Sequence, residues 1–262
     1  MRPDRTVALV TGASSGIGRE IARIAAERGH DLVLVARGED ALAALAGELS
    51  HEHGAESTVL PFDLSLREGP SMLVETVDDR DLAVDVLVNA AGFGLYGEFL
   101  ETDLDVERGM IDLNVGAVTE LAKAYARRMA ERGSGRILNV ASTAAFQPGP
   151  RMAVYYATKA YVLSFSVALA VELEQTGVTV TCLAPGPTET GFQHTAGAEG
   201  SRVFADATTM DAVTVARKGW EAMAAGRTVY VPGAWNRIGA GAAGWVPRRI
   251  AAKIVARLQP ET

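Results

Sequence analysis

The chain has 262 residues, of which 48% are apolar and 22% charged, and 25 basic against 32 acidic residues give it a formal net charge of −7. This apolar fraction excludes a disordered chain. The acidic balance argues against nucleic acid as a partner, because neutralising phosphates requires a basic surface. One cysteine, Cys182, excludes an internal disulfide, and with four histidines it indicates no metal site.

The start of the chain has no pattern of a targeting signal. Residues 1–5 are charged, and six residues, 6–11, separate them from the first glycine, fewer than the apolar stretch of about 7–15 residues in a secretory signal. No uninterrupted apolar run approaches the ~18–20 residues that a membrane-spanning helix needs. We therefore expect a cytoplasmic protein without a transmembrane segment.

Short apolar runs alternate with helical patterns along the chain. A helix with apolar residues recurring from Ile17 to Ala25 follows the first run and ends before Gly29. The predicted strands are 6–11, 31–36, 57–62, 84–89, 135–141, 178–184 and 228–231, and further helices are predicted near 39–50, 66–78, 103–131, 152–175 and 211–225. Because continuous apolar strands indicate burial on both faces, the pattern predicts one α/β domain over residues 1–262. We expect a doubly wound, Rossmann-type three-layer sandwich with a seven-stranded parallel sheet.

A glycine-rich turn, Thr11–Gly18, joins the first strand to the first helix with the spacing Gly-x-x-x-Gly-x-Gly. Gly12 permits a tight turn, Gly16 lets a diphosphate approach the backbone, and Gly18 lets the helix pack close to the sheet. The helix N-terminus offers free N–H groups to a phosphate. Because the turn lies between a strand and a helix, it predicts a nucleotide site.

The end of the second strand distinguishes the two nicotinamide cofactors. An acidic residue there binds the ribose hydroxyls of NAD, whereas an arginine accommodates the 2′-phosphate of NADP. This strand ends in Arg37 without an acid, which favours NADP(H). Glu39 and Asp40 follow slightly later and keep NAD(H) possible.

Tyr155 and Lys159 lie four residues apart in the predicted helix 152–175, so both project from one helical face. A nearby ammonium favours the phenolate, and we expect it to lower the pKa of the tyrosine toward neutral pH, where the enzyme works. Ser142 ends the fifth strand, at the edge where open α/β sheets bind ligands. Its hydroxyl is placed to hold a substrate carbonyl beside Tyr155, with Tyr156 as the rival acid–base residue.

With these motifs, residues 5–235 resemble the short-chain dehydrogenase/reductase family. Thr11–Gly18 resembles its glycine turn, Asp63 the acid that holds the adenine amino group, and residues 89–92 its Asn-Asn-Ala-Gly segment, with Ala90 in place of the second asparagine. Asn114 resembles the fourth member of its Asn-Ser-Tyr-Lys tetrad, and residues 185–190 the loop that touches the nicotinamide.

The resemblance implies that hydride passes from NADPH to a carbonyl carbon while Tyr155 protonates the oxygen, Ser142 holds it, and Lys159 binds the nicotinamide ribose. It implies that Asn114 supports a proton relay to Lys159, and that the enzyme is a homodimer or homotetramer acting on a small carbonyl or alcohol substrate. The expected catalytic residues are Asn114, Ser142, Tyr155 and Lys159; the expected cofactor contacts are Gly12, Ser14, Ser15, Gly16, Ile17, Gly18, Arg37, Asp63, Leu64, Asn89, Ala90, Gly92, Tyr155, Lys159, Pro185, Gly186, Thr188 and Thr190.

Several alternatives stay open at this level. Within the reductases, a 3-oxoacyl thioester reductase acting on an acyl-carrier-protein or CoA substrate and an NAD-dependent alcohol dehydrogenase are the rivals. A nucleotide-sugar epimerase or dehydratase is disfavoured by the turn spacing, and a catalytically silent nucleotide-sensing module by the joint presence of Ser142, Tyr155 and Lys159.

Two segments bear on specificity and partners. We expect residues 187–210 to form a substrate loop or lid, with Phe146, Gln147, Phe192 and residues 93–96 lining the pocket. Residues 236–262 form a C-terminal extension that ends in a basic amphipathic helix, with Ile250, Ile254 and Val255 on one side. Such a helix packs on its own domain, on a neighbouring subunit or on a membrane surface.

Overall fold

Seven parallel strands form the central sheet of the computed structural model, which describes residues 5–192, 196–197, 209–243 and 245–259. The strands are β1 Val7–Thr11, β2 Asp31–Ala36, β3 Ser57–Pro61, β4 Val84–Asn89, β5 Gly135–Val140, β6 Val178–Leu183 and β9 Val229–Tyr230, in the order β3-β2-β1-β4-β5-β6-β9. A separate parallel pair joins β7 Thr188–Glu189 to β8 Met210–Asp211. The predicted fold class is confirmed.

Helices connect the strands and cover both faces of the sheet. They are α1 Gly16–Glu27, α2 Glu39–His53, α3 Gly69–Asp78, α4 Leu104–Ile111, α5 Val118–Arg132, α6 Ala153–Glu172, α7 Ala212–Ala224, α8 Ala234–Ala243 and α9 Arg248–Leu258, with a 3₁₀ turn at Thr143–Phe146. A π-helical segment, Asp112–Ala117, joins α4 to α5. The sequence pattern predicted one uninterrupted helix over 103–131, so this interruption is a finding of the structure.

The core consists of two apolar layers, one on each face of the sheet. Along β1, Ala8 and Val10 face the layer that includes Ile21 of α1 and Trp220 of α7. The alternating residues Val7 and Leu9 face the opposite layer, which includes Leu121 and Tyr125 of α5. Successive strand residues point to opposite faces, so a strand covered on both sides must be apolar throughout.

The strand order places the ligand crevice. Strands β2 and β3 lie on one side of β1. Strand β4 lies on the other side of β1 and is followed outward by β5, β6 and β9. The connections from β1 and β4 therefore diverge, which opens a crevice at the carboxyl ends of these neighbouring strands. The glycine turn after β1 and the segment after β4 both lie at this crevice.

Helix α6 is long and apolar enough to cross a membrane, judged by its length and composition. Its inward side packs against β6 and the 3₁₀ turn, and it buries the polar side chains of Thr158, Lys159 and Ser166. Because these side chains make hydrogen bonds inside the fold, we interpret α6 as a core helix.

The prediction of which residues form the apolar face of the C-terminal helix was partly wrong. Ala251 and Val255 of α9 are buried against the rest of the chain, whereas Ile250 and Ile254 are about half exposed. Val255 belongs to the apolar cluster around Tyr155 and Tyr156. The helix packs on its own domain through a face rotated by one residue from the predicted one.

Candidate active site

A cavity of about 520 Å³ runs along the carboxyl ends of the central strands. All of the predicted site residues except Asn89 and Asn114 line it: Gly12, Ser14, Ser15, Gly16, Ile17, Gly18, Arg37, Asp63, Leu64, Ala90, Gly92, Ser142, Tyr155, Lys159, Pro185, Gly186, Thr188 and Thr190. Motifs separated by up to 178 positions in the sequence, from Gly12 to Thr190, therefore meet in one space.

The glycine turn has a geometry that larger residues would not adopt. Gly12 has φ +69°, and a Cβ there would lie 2.8 Å from the backbone nitrogen of Ala91. A Cβ at Gly18 would lie 2.4 Å from the carbonyl oxygen of Gly12, so the first turn of α1 packs directly on the preceding loop. The turn is thus held close to the segment that follows β4.

The N-terminus of α1 faces the cavity with uncapped donors. Ser15, the N-cap residue, makes no side-chain capping bond, and the first turn contains no acidic residue. Gly16, Ile17 and Gly18 line the cavity. Free N–H groups at the positive end of a helix dipole bind anions, so this wall suits a phosphate group.

Thr11 joins the two central strands at the crevice. Its Oγ1 accepts hydrogen bonds from the backbone nitrogens of Ala90 and Ala91, both at 3.1 Å, and donates to the carbonyl oxygen of Val88 at 3.3 Å. The sequence motif includes Thr11 as its first residue without assigning it a contact. Its position as the last residue of β1 was the signal for this bridging role.

Arg37 and Asp63 both line the cavity, and the Arg37 charge acts on the Asp63 carboxylate. Asp63 accepts hydrogen bonds from the backbone nitrogen of Ser65 at 2.9 Å and from its hydroxyl at 2.6 Å. Burial raises the pKa of Asp63, but these hydrogen bonds and the Arg37 charge outweigh it and hold the pKa below its usual value. Asp63 is therefore an ionised acceptor, and Arg37 is an exposed cation beside it.

Ser142 and Tyr155 contribute two hydroxyl groups to the cavity lining. Ser142 follows β5 and caps the 3₁₀ turn, its hydroxyl accepting from the backbone nitrogen of Ala144 at 3.1 Å. Tyr155 lies in the first turn of α6. Burial raises the pKa of Tyr155 above its usual value, while a hydrogen bond with Ser142 lowers it by a smaller amount. The phenol is protonated at neutral pH, which is the form that a proton donor requires.

Lys159 lies one helical turn beyond Tyr155. Its Nζ donates to the carbonyl oxygen of Val140 at 2.9 Å and lies 5.8 Å from the centroid of the Tyr155 ring. Burial lowers the pKa of Lys159 to about 8. The expectation that the pKa of Tyr155 would be lowered by this ammonium was wrong, because burial of the phenol raises the pKa and the one group that lowers it is Ser142.

Asn114 lies behind the cavity wall, within the π-helical segment. Its Nδ2 donates to the carbonyl oxygen of Phe93 at 3.0 Å and to the Thr158 hydroxyl at 3.1 Å, and its Oδ1 accepts from the Phe93 nitrogen at 3.2 Å. Asn114 thereby ties the loop after β4 to α6. Local π-helical turns often occur at functional sites, and this one brings an amide side chain to the turn of α6 that separates Tyr155 from Lys159.

Asn89 also lies outside the cavity lining. Its Nδ2 donates to Oδ1 of Asn139 at 2.9 Å, and Nδ2 of Asn139 donates to the Ser166 hydroxyl at 3.0 Å. This buried chain of amides links the ends of β4 and β5 to α6. Asn89 therefore supports the cavity wall from behind.

The loop after β6 crosses the glycine turn. A Cβ at Gly16 would lie 3.0 Å from the methyl group of Thr190. Thr188 donates to the carbonyl oxygen of Gly186 at 2.9 Å, and Thr190 accepts from the backbone nitrogen of Phe192 at 3.2 Å. Of the predicted lid, residues 193–195 and 198–208, which include His194, lie outside the described residues.

The predicted specificity residues divide into two groups. Phe93, Gln147 and Phe192 line the cavity, and the Phe192 ring lies 5.2 Å from that of Tyr155. Phe146 instead packs in the apolar cluster around Val162, and residues 94–96 do not line the cavity, so these predictions were wrong. Met152, Tyr156 and Gln259 also line it. No sequence pattern indicated Gln259, because only the tertiary packing of α9 brings it here.

In the ranges that the structure describes, no group of three or more His, Cys, Asp or Glu side chains is arranged to hold a metal ion. Cys182 is buried, and burial raises its pKa to about 12.

The fold and site define a nucleotide-binding oxidoreductase of the doubly wound class. A family model for the short chain dehydrogenases matches residues 6–200. An uncharacterized oxidoreductase of Staphylococcus saprophyticus is 36% identical over 184 residues, which cover 70% of this chain and 79% of that one. The chain belongs to the short-chain dehydrogenase family, and it is an oxidoreductase acting on CH–OH groups.

The solved structures that resemble the whole fold include the following two. The short-chain dehydrogenase from Sphingobium yanoikuyae in complex with NADPH is 32% identical, with a TM-score of 0.82 and coverage of 92% of this chain and 94% of that one. The bulky-bulky ketone specific alcohol dehydrogenase from Comamonas testosteroni is 31% identical, with a TM-score of 0.77 and coverage of 97% and 99%.

Proposed function

We propose that this chain is an NADP(H)-dependent reductase of bulky, largely apolar ketones, with Tyr155 as the acid. The observation that carries the proposal is the convergence of Ser142, Tyr155 and Lys159 in one cavity with the glycine turn. The substrate end of that cavity is lined by Phe93, Met152, Tyr156 and Phe192, side chains that suit an apolar substrate. The chain also resembles an alcohol dehydrogenase specific for bulky-bulky ketones, and this resemblance supports the same class of substrate.

The residues present fit a nicotinamide dinucleotide. The uncapped N-terminus of α1 would hold the diphosphate, Asp63 the adenine, and the loop Pro185–Thr190 the nicotinamide carboxamide. When bound, the dinucleotide supplies the hydride that reaches the carbonyl carbon. The protein contributes orientation and electrostatic stabilisation.

The side chains of the cavity complete the reduction. The Ser142 hydroxyl holds the carbonyl oxygen, and the protonated Tyr155 phenol transfers its proton to that oxygen as the carbonyl becomes a secondary alcohol. The buried Lys159 ammonium stabilises the phenolate that is left. The phenolate then regains its proton from Lys159. Asn114 fixes the backbone of Phe93 and the position of α6, and we propose that it supports the reprotonation of Lys159 from solvent.

Cofactor preference is tested at Arg37. We expect Arg37→Asp to weaken NADPH binding by about 10- to 100-fold, because it removes a charged hydrogen-bond donor from the 2′-phosphate, and to leave NADH binding within a few-fold of the wild type. Fluorescence titration with both dinucleotides measures the two dissociation constants. Arg127→Asp, an equal charge change on the exposed side of α5, serves as the control. An unchanged ratio would remove Arg37 from cofactor selection and favour the NAD-dependent alternative.

The function itself is tested by turnover. Purified protein with NADPH is offered a panel of diaryl and alkyl-aryl ketones, small ketones and 3-oxoacyl thioesters, and loss of NADPH absorbance is followed. We expect the highest kcat/KM for the bulky ketones. Binding of NADPH with no turnover of any carbonyl would instead support a nucleotide-sensing module.

A 3-oxoacyl thioester reductase is the second candidate. Helix α9, which lies beside the cavity, carries several exposed basic side chains. An acidic carrier protein requires a basic surface of this kind next to the cavity. A kcat/KM for a carrier-bound 3-oxoacyl thioester above that of every free ketone would establish it. Preference for free ketones would exclude it.

We also propose that the protein is a cytoplasmic homodimer or homotetramer. The exposed apolar side chains of Ile111 on α4 and Val167 and Val171 on α6 provide surface for contacts between copies. Sedimentation velocity measures the assembly size, and a monomer at micromolar concentration would contradict this proposal.

A further inference from the structure

We propose that helices α8 and α9 dock on an anionic membrane surface, with the substrate cavity held at the boundary between lipid and water. The surface concerned, called here the C-terminal face, consists of the exposed side chains of residues 234–243 and 245–257. The statement about the cavity rests on the proposed reductase function, whereas the docking itself does not.

The C-terminal face exposes large apolar side chains. Trp235 and Ile238 on α8 are 78% and 60% exposed, and Trp245, in the turn between the two helices, is 91% exposed. Ile250 and Ile254 of α9 are also exposed, and no described residue of α8 is buried. A cluster of this kind marks an interaction surface, and tryptophan is enriched where an apolar phase meets water.

The charge of the C-terminal face is opposite to that of the rest of the protein. Residues 234–259 contain five basic residues and no acidic one, which leaves 20 basic and 32 acidic residues, a net charge of −12, for the rest of the chain. The five are exposed: Arg237, Arg248, Arg249, Lys253 and Arg257. None of them makes an ion pair with another described residue. Cations interspersed with apolar side chains complement anionic lipid headgroups over an acyl layer.

The same observations disfavour a second copy of the chain as the occupant. A two-fold contact through this face would place two identical basic surfaces against each other, and like charges would oppose it. An acidic protein would match the cations but would leave Trp235 and Trp245 without an apolar environment. An anionic bilayer satisfies both the charge and the apolar surface.

The inner side of α9 belongs to the wall of the substrate cavity. Val255 packs in the cluster with Tyr155 and Tyr156, and Gln259 lines the cavity while its Nε2 donates to the Tyr156 hydroxyl at 3.3 Å. Arg151 donates to the carbonyl oxygens of Ala256 and Gln259 and so fixes the end of the helix. One helix thus separates the cavity from the C-terminal face, and the substrate class this implies is a ketone that partitions into membranes.

The test is sedimentation of the full-length protein with vesicles of phosphatidylcholine alone, or of equal parts phosphatidylcholine and phosphatidylglycerol. We expect binding to the anionic vesicles at low salt, weakening as salt is raised, with a blue shift of tryptophan fluorescence. The double variant Arg249→Glu/Lys253→Glu should lose at least about tenfold in vesicle affinity. Trp245→Ser should show a smaller fluorescence shift than the wild type, because Trp235 remains on the same face. Arg127→Glu, a charge reversal at an exposed arginine of α5, and Leu100→Ser, at an apolar side chain as exposed as that of Trp245, are the controls and should bind as the wild type does.

The outcomes separate docking from catalysis, since reduction of a water-soluble ketone is measured without vesicles. Absence of anionic vesicle binding in a protein that reduces ketones would overturn the docking alone. Vesicle binding by a protein that reduces no carbonyl would support docking and overturn the proposed function. Loss of vesicle binding equally in both control variants would also overturn the assignment to the C-terminal face. A change in assembly size in Trp245→Ser without vesicle binding would reassign the face to contacts between copies.

Discussion

Replacing Tyr155 with phenylalanine is expected to lower kcat for ketone reduction by about 10²- to 10⁴-fold, the usual contribution of a positioned acid. The dissociation constant for NADPH should stay within a few-fold of the wild type. The substitution removes the phenol hydroxyl, whose pKa Ser142 lowers, and leaves the ring that packs against Phe192. Steady-state turnover and fluorescence titration measure the two quantities.

Tyr156→Phe is the matched control for this change. The Tyr156 hydroxyl accepts a hydrogen bond from Gln259, and burial raises its pKa to about 12. Ser142 lowers the pKa of Tyr155 and has no such effect on Tyr156. We therefore expect Tyr156→Phe to retain most of the wild-type kcat. If Tyr155→Phe kept its activity and Tyr156→Phe lost it, the proton donor would be Tyr156.

Replacing Lys159 with methionine is expected to have opposite effects on activity and stability. We expect kcat to fall by at least about 10²-fold, because the cation that stabilises the phenolate is lost. At pH 7 the free energy of unfolding should rise by about 1–2 kcal/mol, because a buried ammonium is removed and one pKa unit corresponds to about 1.4 kcal/mol. Loss of the hydrogen bond to Val140 offsets part of this gain.

The stability advantage of Lys159→Met over the wild type is expected to fall as the pH rises. The pKa of Lys159 falls from its usual 10.5 to about 8 on folding, so between these values the unfolded chain binds more protons than the folded one. The stability of the wild type therefore rises through this range, and the advantage of Lys159→Met is full below pH 8 and disappears toward pH 10.5. Urea denaturation at several pH values measures it, with Lys123→Met, on the exposed side of α5, as control. An advantage that did not change with pH would contradict a charge effect.

Much of the fold and of the candidate site was predictable from the sequence, because the signals are local. Strands buried on both faces must be apolar along their whole length, and a turn such as Gly12–Gly18 admits few other residues in its geometry. Strand ends in a parallel sheet meet at one edge, so the positions of Ser142 and Arg37 after their strands indicated a shared cavity. Tyr155 and Lys159 follow from helical spacing alone.

Other properties of the site were decided only by tertiary structure. The sign of the Tyr155 pKa shift depends on how many atoms exclude water from the phenol, and periodicity does not report that. The π-helical segment that positions Asn114, and the packing that buries Ala251 rather than Ile254, depend on contacts between distant segments.

The sequence by itself therefore determined the class of protein, the order of its strands along the chain and most of the residues of its cavity. Only the tertiary structure decided that Gln259 lines this cavity and which side of the basic C-terminal helix remains exposed. The physical reason is that local patterns follow from backbone geometry and alternation of burial, whereas desolvation and surface charge arise when remote parts of the chain pack together.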